Sequence, residues 1–344
     1  MKTKAILGII VVVVVVASAI TYISWSTQPV ERAEVKFMWN WLVSSPTAAY
    51  LYIPIEKGYY EEEGLDVIMT GGRGVATTTA ALEANEVDIA CPSAITTVLA
   101  TERGYDIIMV AQRERDGGHG IIYRKDKGIS EIKDLEGKAI SGATGSAEAN
   151  LFPGWAAING IDPATVTIRE VDPAMRIPIL VAGDVDAMFG PGSYVPQIRA
   201  SAGLDIGFWN YADTGLQLYG NGYAARSTYI EENPDVVRRF LRAHLRGIKY
   251  ALENPEEAMQ AFYKHVPEAN PGDNEQQHQV NLAQADYYLG LFYDDVTAEK
   301  GLGWADEAPW QNVFEYTAGL YDLDIDFSPS DVYTNEFLPE GVAY

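Results

Sequence analysis

Ile55-Glu56-Lys57-Gly58-Tyr59-Tyr60-Glu61-Glu62-Glu63-Gly64-Leu65-Asp66 is the stretch on which the fold turns. Gly58 and Gly64 fall where helical turns must stop, because glycine takes the left-handed conformation past a helix end without a Cβ penalty. Upstream, Val35-Lys36-Phe37-Met38-Trp39 is apolar-rich and reads as a first strand, and Thr47–Ile55 reads as a short apolar helix. Downstream, Leu65-Asp66-Val67-Ile68-Met69 resumes as a strand. A strand, a helix with two glycine stops and a second strand form a right-handed crossover unit at the start of an α/β domain.

The same style continues. Short apolar runs at Leu65–Met69, Val87–Ala90 and Ile107–Ala111 suit buried strands of a parallel sheet. Gly117-Gly118-His119-Gly120 breaks the pattern and Ile121-Ile122-Tyr123-Arg124 resumes it. Strand candidates at Lys138–Ser141, Thr165–Glu170, Ala187–Phe189 and Leu204–Trp209 make a second lobe. Gly220–Arg226 then reads as a strand returning to the first, so extended crossings near residues 120 and 221 predict a hinge. Beyond it, Asn233-Pro234 places a capping residue before a proline at a helix start, Asn254-Pro255 starts another helix, and residues 281–292 read as a further one. The expected division is a targeting segment over residues 1–33, a discontinuous first lobe over 34–120 and 221–344, and a second lobe over 121–220.

A chain of 344 residues exceeds the usual size of a single core, which agrees with two lobes. A net charge of −23 argues against nucleic acid, whose phosphates need compensating Lys and Arg. No polybasic cluster marks an anionic membrane surface. The single cysteine, Cys91, excludes an internal disulfide and a multi-cysteine metal site, and before Pro92 it reads as a small buried residue. At the N-terminus, Lys2 and Lys4 precede the uncharged apolar run Ala5–Ile23, and Ala17-Ser18-Ala19 has the small-x-small form of a signal-peptide cleavage site. The run is also long enough to span a bilayer uncleaved. Either way the rest of the chain is expected outside the cytoplasm, as a freely exported protein or one held by its N-terminal helix.

Open α/β sheets bind ligands at the carboxyl ends of their strands. Four loops stand at such ends: Thr70–Gly74, Cys91–Ala94, Ser141–Ser146 and Gly190–Tyr194. Each supplies backbone N–H groups, small hydroxyls or a positive helix end. One such loop is ordinary capping; four at corresponding ends of two lobes point to a cleft. The candidate ligand contacts there are Gly72, Arg73, Ser93, Ala94, Thr144, Gly145, Ser146, Gly192 and Tyr194. Trp39 and Trp41 flank Asn40 and would share one side of an extended strand, while Asn221 and Tyr223 lie on the return crossing. Aromatic side chains sandwich a flat ring, whereas a tiny inorganic anion gains little from them.

Several phrases carry a resemblance: Glu56-Lys57-Gly58-Tyr59-Tyr60-Glu61-Glu62-Glu63-Gly64-Leu65-Asp66-Val67, Glu86-Val87-Asp88-Ile89-Ala90, Ile132-Lys133-Asp134-Leu135-Glu136-Gly137-Lys138, Gly183-Asp184-Val185-Asp186-Ala187 and Glu232-Asn233-Pro234-Asp235-Val236-Val237. In this order they resemble the solute-binding proteins of ABC importers, in the family that takes up nitrate, sulfonates, taurine and thiamine-pyrimidine precursors. The resemblance implies a type II periplasmic-binding-protein fold, two Rossmann-like lobes joined by a two-strand hinge. It also implies a small-molecule ligand in the interlobe cleft, ABC permease and ATPase subunits as partners, a monomer, and neither cofactor nor metal. The phrases at 301–311 and 333–339 resemble the family's C-terminal segments and are expected to pack over the first lobe.

Two departures bear on the ligand. Ser44-Ser45-Pro46-Thr47 stands where pyrimidine-precursor binders place a histidine, and Arg73 is the one obvious cleft cation where nitrate and taurine binders have basic pockets. A small organic nutrient with a ring and a polar or anionic group fits best. A small anion such as a sulfonate, taurine or nitrate, and a membrane-tethered sensor, stay open. An enzyme is disfavoured. The pyrimidine-phosphate synthases of this fold use a cysteine-rich run that is absent here, the four histidines have no metal-ligand spacing, and no nucleophile elbow or phosphate loop occurs.

Overall fold

The computed structural model describes residues 32–142 and 146–340. Ten strands among these residues form two five-stranded sheets. The first has the order β2 (Leu65–Gly71), β1 (Ala33–Trp39), β3 (Ile89–Ala90), β10 (Gly222–Arg226), β4 (Ile107–Gln112). The second has the order β7 (Thr167–Glu170), β6 (Ala139–Gly142), β8 (Ala187–Pro191), β5 (His119–Arg124), β9 (Ile206–Asn210). β1 and β3 are parallel, with Phe37 opposite Ile89. β10 is antiparallel to both β3 and β4. In the second sheet β6 is parallel to β7 and β8, while β5 is antiparallel to β8 and β9. The chain leaves the first sheet through Arg113–Gly118 and returns through Tyr211–Asn221. In each sheet the strand reached by a crossing runs against its neighbours, because it enters from the opposite end. This is the two-lobed α/β architecture expected from the sequence.

The opening unit has more breaks than the expected single helix over Thr47–Ile55. A 3-10 helix covers Pro46–Tyr52, and single α turns cover Ile53–Glu56 and Tyr59–Glu62. A proline suits only a first turn, so Pro46 begins the 3-10 helix and Pro54 restarts the chain as an α turn. Gly58 stands at φ +70 and Gly64 at φ +65, the left-handed stops their positions predict.

Among the described residues, nine longer helices complete the lobes: α1 (Val75–Glu83), α2 (Ala94–Glu102), α3 (Ala147–Ile158), α4 (Arg176–Ala182), α5 (Tyr194–Ala202), α6 (Pro234–Glu253), α7 (Pro255–His265), α8 (Glu275–Gly290) and α9 (Glu307–Tyr321). α6 buries Val237, Phe240, Leu241, His244, Leu245 and Ile248. Gly247 lets it approach closely: a Cβ there would lie 2.3 Å from Pro54 Cγ. Asn233 does not act as the expected side-chain cap, since its amide donates backwards to the Tyr229 carbonyl. On the outer side of α6, Arg242 and Arg246 pair with Glu63 and Glu62 of the opening unit.

One buried cluster runs through both sheets, from Leu82, Val98 and Met109 to Ile121, Phe152, Trp155 and Phe189. A smaller one, with Ile122, Leu180, Met188 and Ile206, fills the other face of the second sheet. The C-terminal segment packs on the first sheet. Met109 N–H donates to Val332 O (2.8 Å), Thr334 N–H donates to Met109 O (2.9 Å), and Trp310 stacks on Tyr333 at 5.4 Å. No helix among the described residues is long and apolar enough to cross a membrane. Residues 1–31 of the targeting segment read over residues 1–33, like Thr144 and Gly145, lie outside the described residues.

Candidate functional site

The carboxyl ends of β2, β3, β6 and β8 carry the loops singled out by sequence. The structure divides those residues into groups with different duties. Gly72 N–H donates to Trp39 O (2.7 Å) and Gly74 N–H to Asn40 O (2.8 Å), which binds the β2–α1 loop flat against the end of β1. Those amides are therefore committed to the chain. Arg73 is exposed and makes no ion pair among the described residues. Ser93 caps α2, its hydroxyl accepting from Thr96 N–H (3.1 Å) while its own N–H donates to the Thr96 hydroxyl. Ala94 is buried, and its N–H donates to Gly220 O (3.0 Å), stitching the loop to the return crossing. Ser146 caps α3 through Ala149 N–H (3.3 Å).

Three expectations need correction. Tyr223 points into the first lobe, not the cleft: β10 is interior to its sheet, and the Tyr223 hydroxyl meets His244 Nε2 of α6 at 2.8 Å. Trp39 and Trp41 do not share a strand face, because β1 ends at Trp39 and the chain bends through Asn40 and Trp41. Trp39 is 0% exposed, edge-on to Tyr50 and Tyr288, whereas Trp41 keeps partial exposure. Gly192 is covered by Tyr287, whose ring would lie 2.3 Å from an added Cβ.

Where the chain crosses between sheets lies a buried polar cluster that the sequence reading did not single out. Arg113 donates to the Tyr50 hydroxyl (2.9 Å), Asn40 Oδ1 (3.2 Å), the Tyr288 hydroxyl (2.8 Å) and Glu114 Oε1 (2.5 Å). Glu114 in turn accepts from Asn221 N–H (2.9 Å), Asn221 Nδ2 (3.0 Å) and the Tyr288 hydroxyl (2.7 Å). Arg113 and Glu114 thus tie both crossings to the end of β1, and Asn40 and Asn221 belong to that tie. A buried ion pair is tolerable only when its remaining donors and acceptors are met, as they largely are here. Burial pushes the Cys91 thiol up to about 12, and burial with the nearby Arg113 charge pushes His244 down to about 3.

On the second lobe, His119, Glu148, Arg176 and Tyr194 come from β5, α3, α4 and α5. His119 Nδ1 stands 3.3 Å from Glu148 Oε1. Arg176 donates to Phe189 O (3.3 Å) and the Tyr194 hydroxyl (3.4 Å). Burial opposes the charge on Glu148, yet His119 and Arg176 outweigh it and hold the carboxyl down to about 2. Burial likewise opposes protonation of His119, and Glu148 reverses the balance, raising its pKa. The visible sequence signal was the alternating run Arg113-Glu114-Arg115-Asp116 directly after an apolar strand. Glu148 and Arg176 carried none. Two outer hollows, of about 260 and 370 Å3, are lined by residues such as Glu56, Lys264, Leu216 and Tyr316 and include none of the strand-end loops.

Two five-stranded α/β lobes of this topology have the fold of type II periplasmic-binding proteins. The chain belongs to the NMT1/THI5-like family, whose model matches residues 45–258. It is 28% identical over 296 residues to the riboflavin-binding protein RibY of Chloroflexus aurantiacus, covering 84% of this chain and 82% of that one. The formylaminopyrimidine-binding protein of Halalkalibacterium halodurans is 24% identical over 274 residues, 78% of this chain and 81% of the relative. The 4-amino-5-hydroxymethyl-2-methylpyrimidine phosphate synthase of Aspergillus parasiticus is 24% identical over 327 residues, 89% and 87% of the two chains. Among solved structures, the periplasmic aliphatic sulphonate binding protein SsuA of Escherichia coli superposes with a TM-score of 0.65 at 14% identity, over 90% of this chain and 94% of that one. The relatives' names thus include binding proteins and a synthase.

Proposed function

We propose that this chain is the solute-binding component of an ABC importer, holding a small ring-containing organic nutrient with a polar or anionic group between its lobes. The observation that carries the ligand class is apolar surface at the strand ends of both lobes. Leu42, just beyond β1, is 47% exposed, and Met175, just beyond β7, is equally so. Trp41, next to Leu42, and Tyr194, which follows β8, are partly exposed. A strongly hydrated small anion gains nothing from such groups, whereas a flat apolar ring removes them from water on closure. The ring compounds bound by two of the relatives support the same class.

The lobes are taken to exchange at Arg113–Gly118 and Tyr211–Asn221, close to the boundaries expected from sequence, and to close on the ligand as a monomer. The protein is exported, held at the membrane where its N-terminal run is retained, and it docks on permease and ATPase subunits. It is not an enzyme on this reading. The cysteine-rich run of the synthases has no counterpart, and the one thiol, Cys91, is buried and protonated.

A thermal-shift screen of the full-length chain tests this reading. The panel holds riboflavin, formylaminopyrimidine, other heteroaromatics, aromatic acids, sulfonates, taurine and nitrate. Ligand at about 100 times its dissociation constant stabilises by roughly 2.7 kcal/mol, a rise of several degrees. A ring compound is expected to give that rise and to be recovered unchanged. A response confined to sulfonates or nitrate overturns the ring, and chemical conversion of the bound compound restores the enzyme reading.

A further inference from the structure

The C-terminal turn of α8 bears on both lobes at once. Tyr288 faces the first lobe, where its hydroxyl joins Arg113 and Glu114 and its ring meets Trp39 edge-on at 6.2 Å. Its neighbour Tyr287 faces the second. The Tyr287 ring lies over Gly192 of the β8–α5 loop, meets Phe208 of β9 edge-on at 6.3 Å, and sends its hydroxyl toward Gly118 O (3.5 Å). Gly192 N–H donates to the same carbonyl (3.2 Å). One turn later, Leu291 O accepts from Arg115 N–H (2.7 Å), and the Leu291 side chain fills the space a Cβ on Gly118 would need. One turn before Tyr287, Gln284 reaches Gln197 of α5 (3.3 Å). The helix also packs on the 3-10 helix Pro46–Tyr52. Position 192 must be glycine for this contact, since an added Cβ would stand 2.3 Å from Tyr287 Cζ and Oη.

We infer that Tyr287 is a positioning residue for ligand capture: seated on Gly192, it holds the β8–α5 loop of the second lobe against the first. This deepens the solute-binding reading and rests on the ligand lying between the lobes. If the second lobe swings away about the crossings, Tyr287 leaves its seat while Tyr288 stays with Arg113 and Glu114. The seat therefore biases the two-state equilibrium between open and closed lobes, and any ligand that prefers the closed form binds more tightly by that bias.

The test needs no ligand, so its result is independent of the screen above. Spin labels are placed on Ala80→Cys in α1 and Ala157→Cys in α3, both exposed; the native Cys91 is buried and does not react. Interlobe distances are measured by double electron–electron resonance on the unliganded full-length protein. The parent is expected to show one narrow distribution. Gly192→Ala and Tyr287→Ala each broaden it and move it outward, with the melting midpoint held. Tyr287→Phe keeps the ring on Gly192 and restores the parent distribution. The double variant Gly192→Ala/Tyr287→Ala changes no more than either single, because both remove one contact. Unchanged distances in Tyr287→Ala, or additive effects in the double variant, overturn the proposal.

Discussion

His119 and Glu148 face each other across 3.3 Å between the start of β5 and the first turn of α3, and their pKa values move in opposite directions. The raised His119 pKa contributes stability that is complete below its ordinary 6.5 and is lost as pH rises through the folded value. The lowered Glu148 pKa, at about 2, contributes stability that is complete above its ordinary 4.5 and is lost as pH falls through about 2. Both contributions are full between pH 4.5 and 6.5. Glu148→Gln is therefore expected to lose most stability to urea inside that window and less at about pH 9. An equal loss at pH values inside and above the window would remove the ion pair from the account. The same scale explains why the cluster at Arg113 escaped notice: a charged run after a strand usually belongs to a solvated turn, and only burial reveals four acceptors around one guanidinium.

At the scale of elements, the first sheet would end at β4 without its C-terminal covering. The Val332–Thr334 segment adds backbone hydrogen bonds along β4 through Met109, and Trp310 of α9 clamps it by stacking on Tyr333. An uncovered strand edge is a template for pairing with other chains. Truncation after Asp322 is expected to lower the urea midpoint and to promote aggregation at high protein concentration. An unaltered midpoint would mean that the covering is ornamental. The strands themselves were legible from short apolar runs, with ends displaced by one or two residues. The helix between β1 and β2 was less so, because Pro54 restarts it after Pro46 has begun it.

For the whole molecule, a net charge of −23 spreads repulsion over both lobes. Raising sodium chloride from about 20 to about 300 mM shortens the Debye length to under 10 Å, so the melting midpoint is expected to rise. A fall would show that exposed pairs such as Arg246–Glu62 outweigh the repulsion.

The order of strands, glycine stops and helix starts is local information, and the sequence by itself determined the two-lobed α/β class and its strand-end loops. Which side chains those loops turn outward was decided only in the tertiary structure. Tyr223 looked like a site aromatic until β10 took an interior place in the sheet and buried it beneath α6. Tyr287 had no signal at all, since its partner Gly192 lies far away in sequence. Alternation along a strand says that two faces exist; only packing against another element says which of them a ligand can reach.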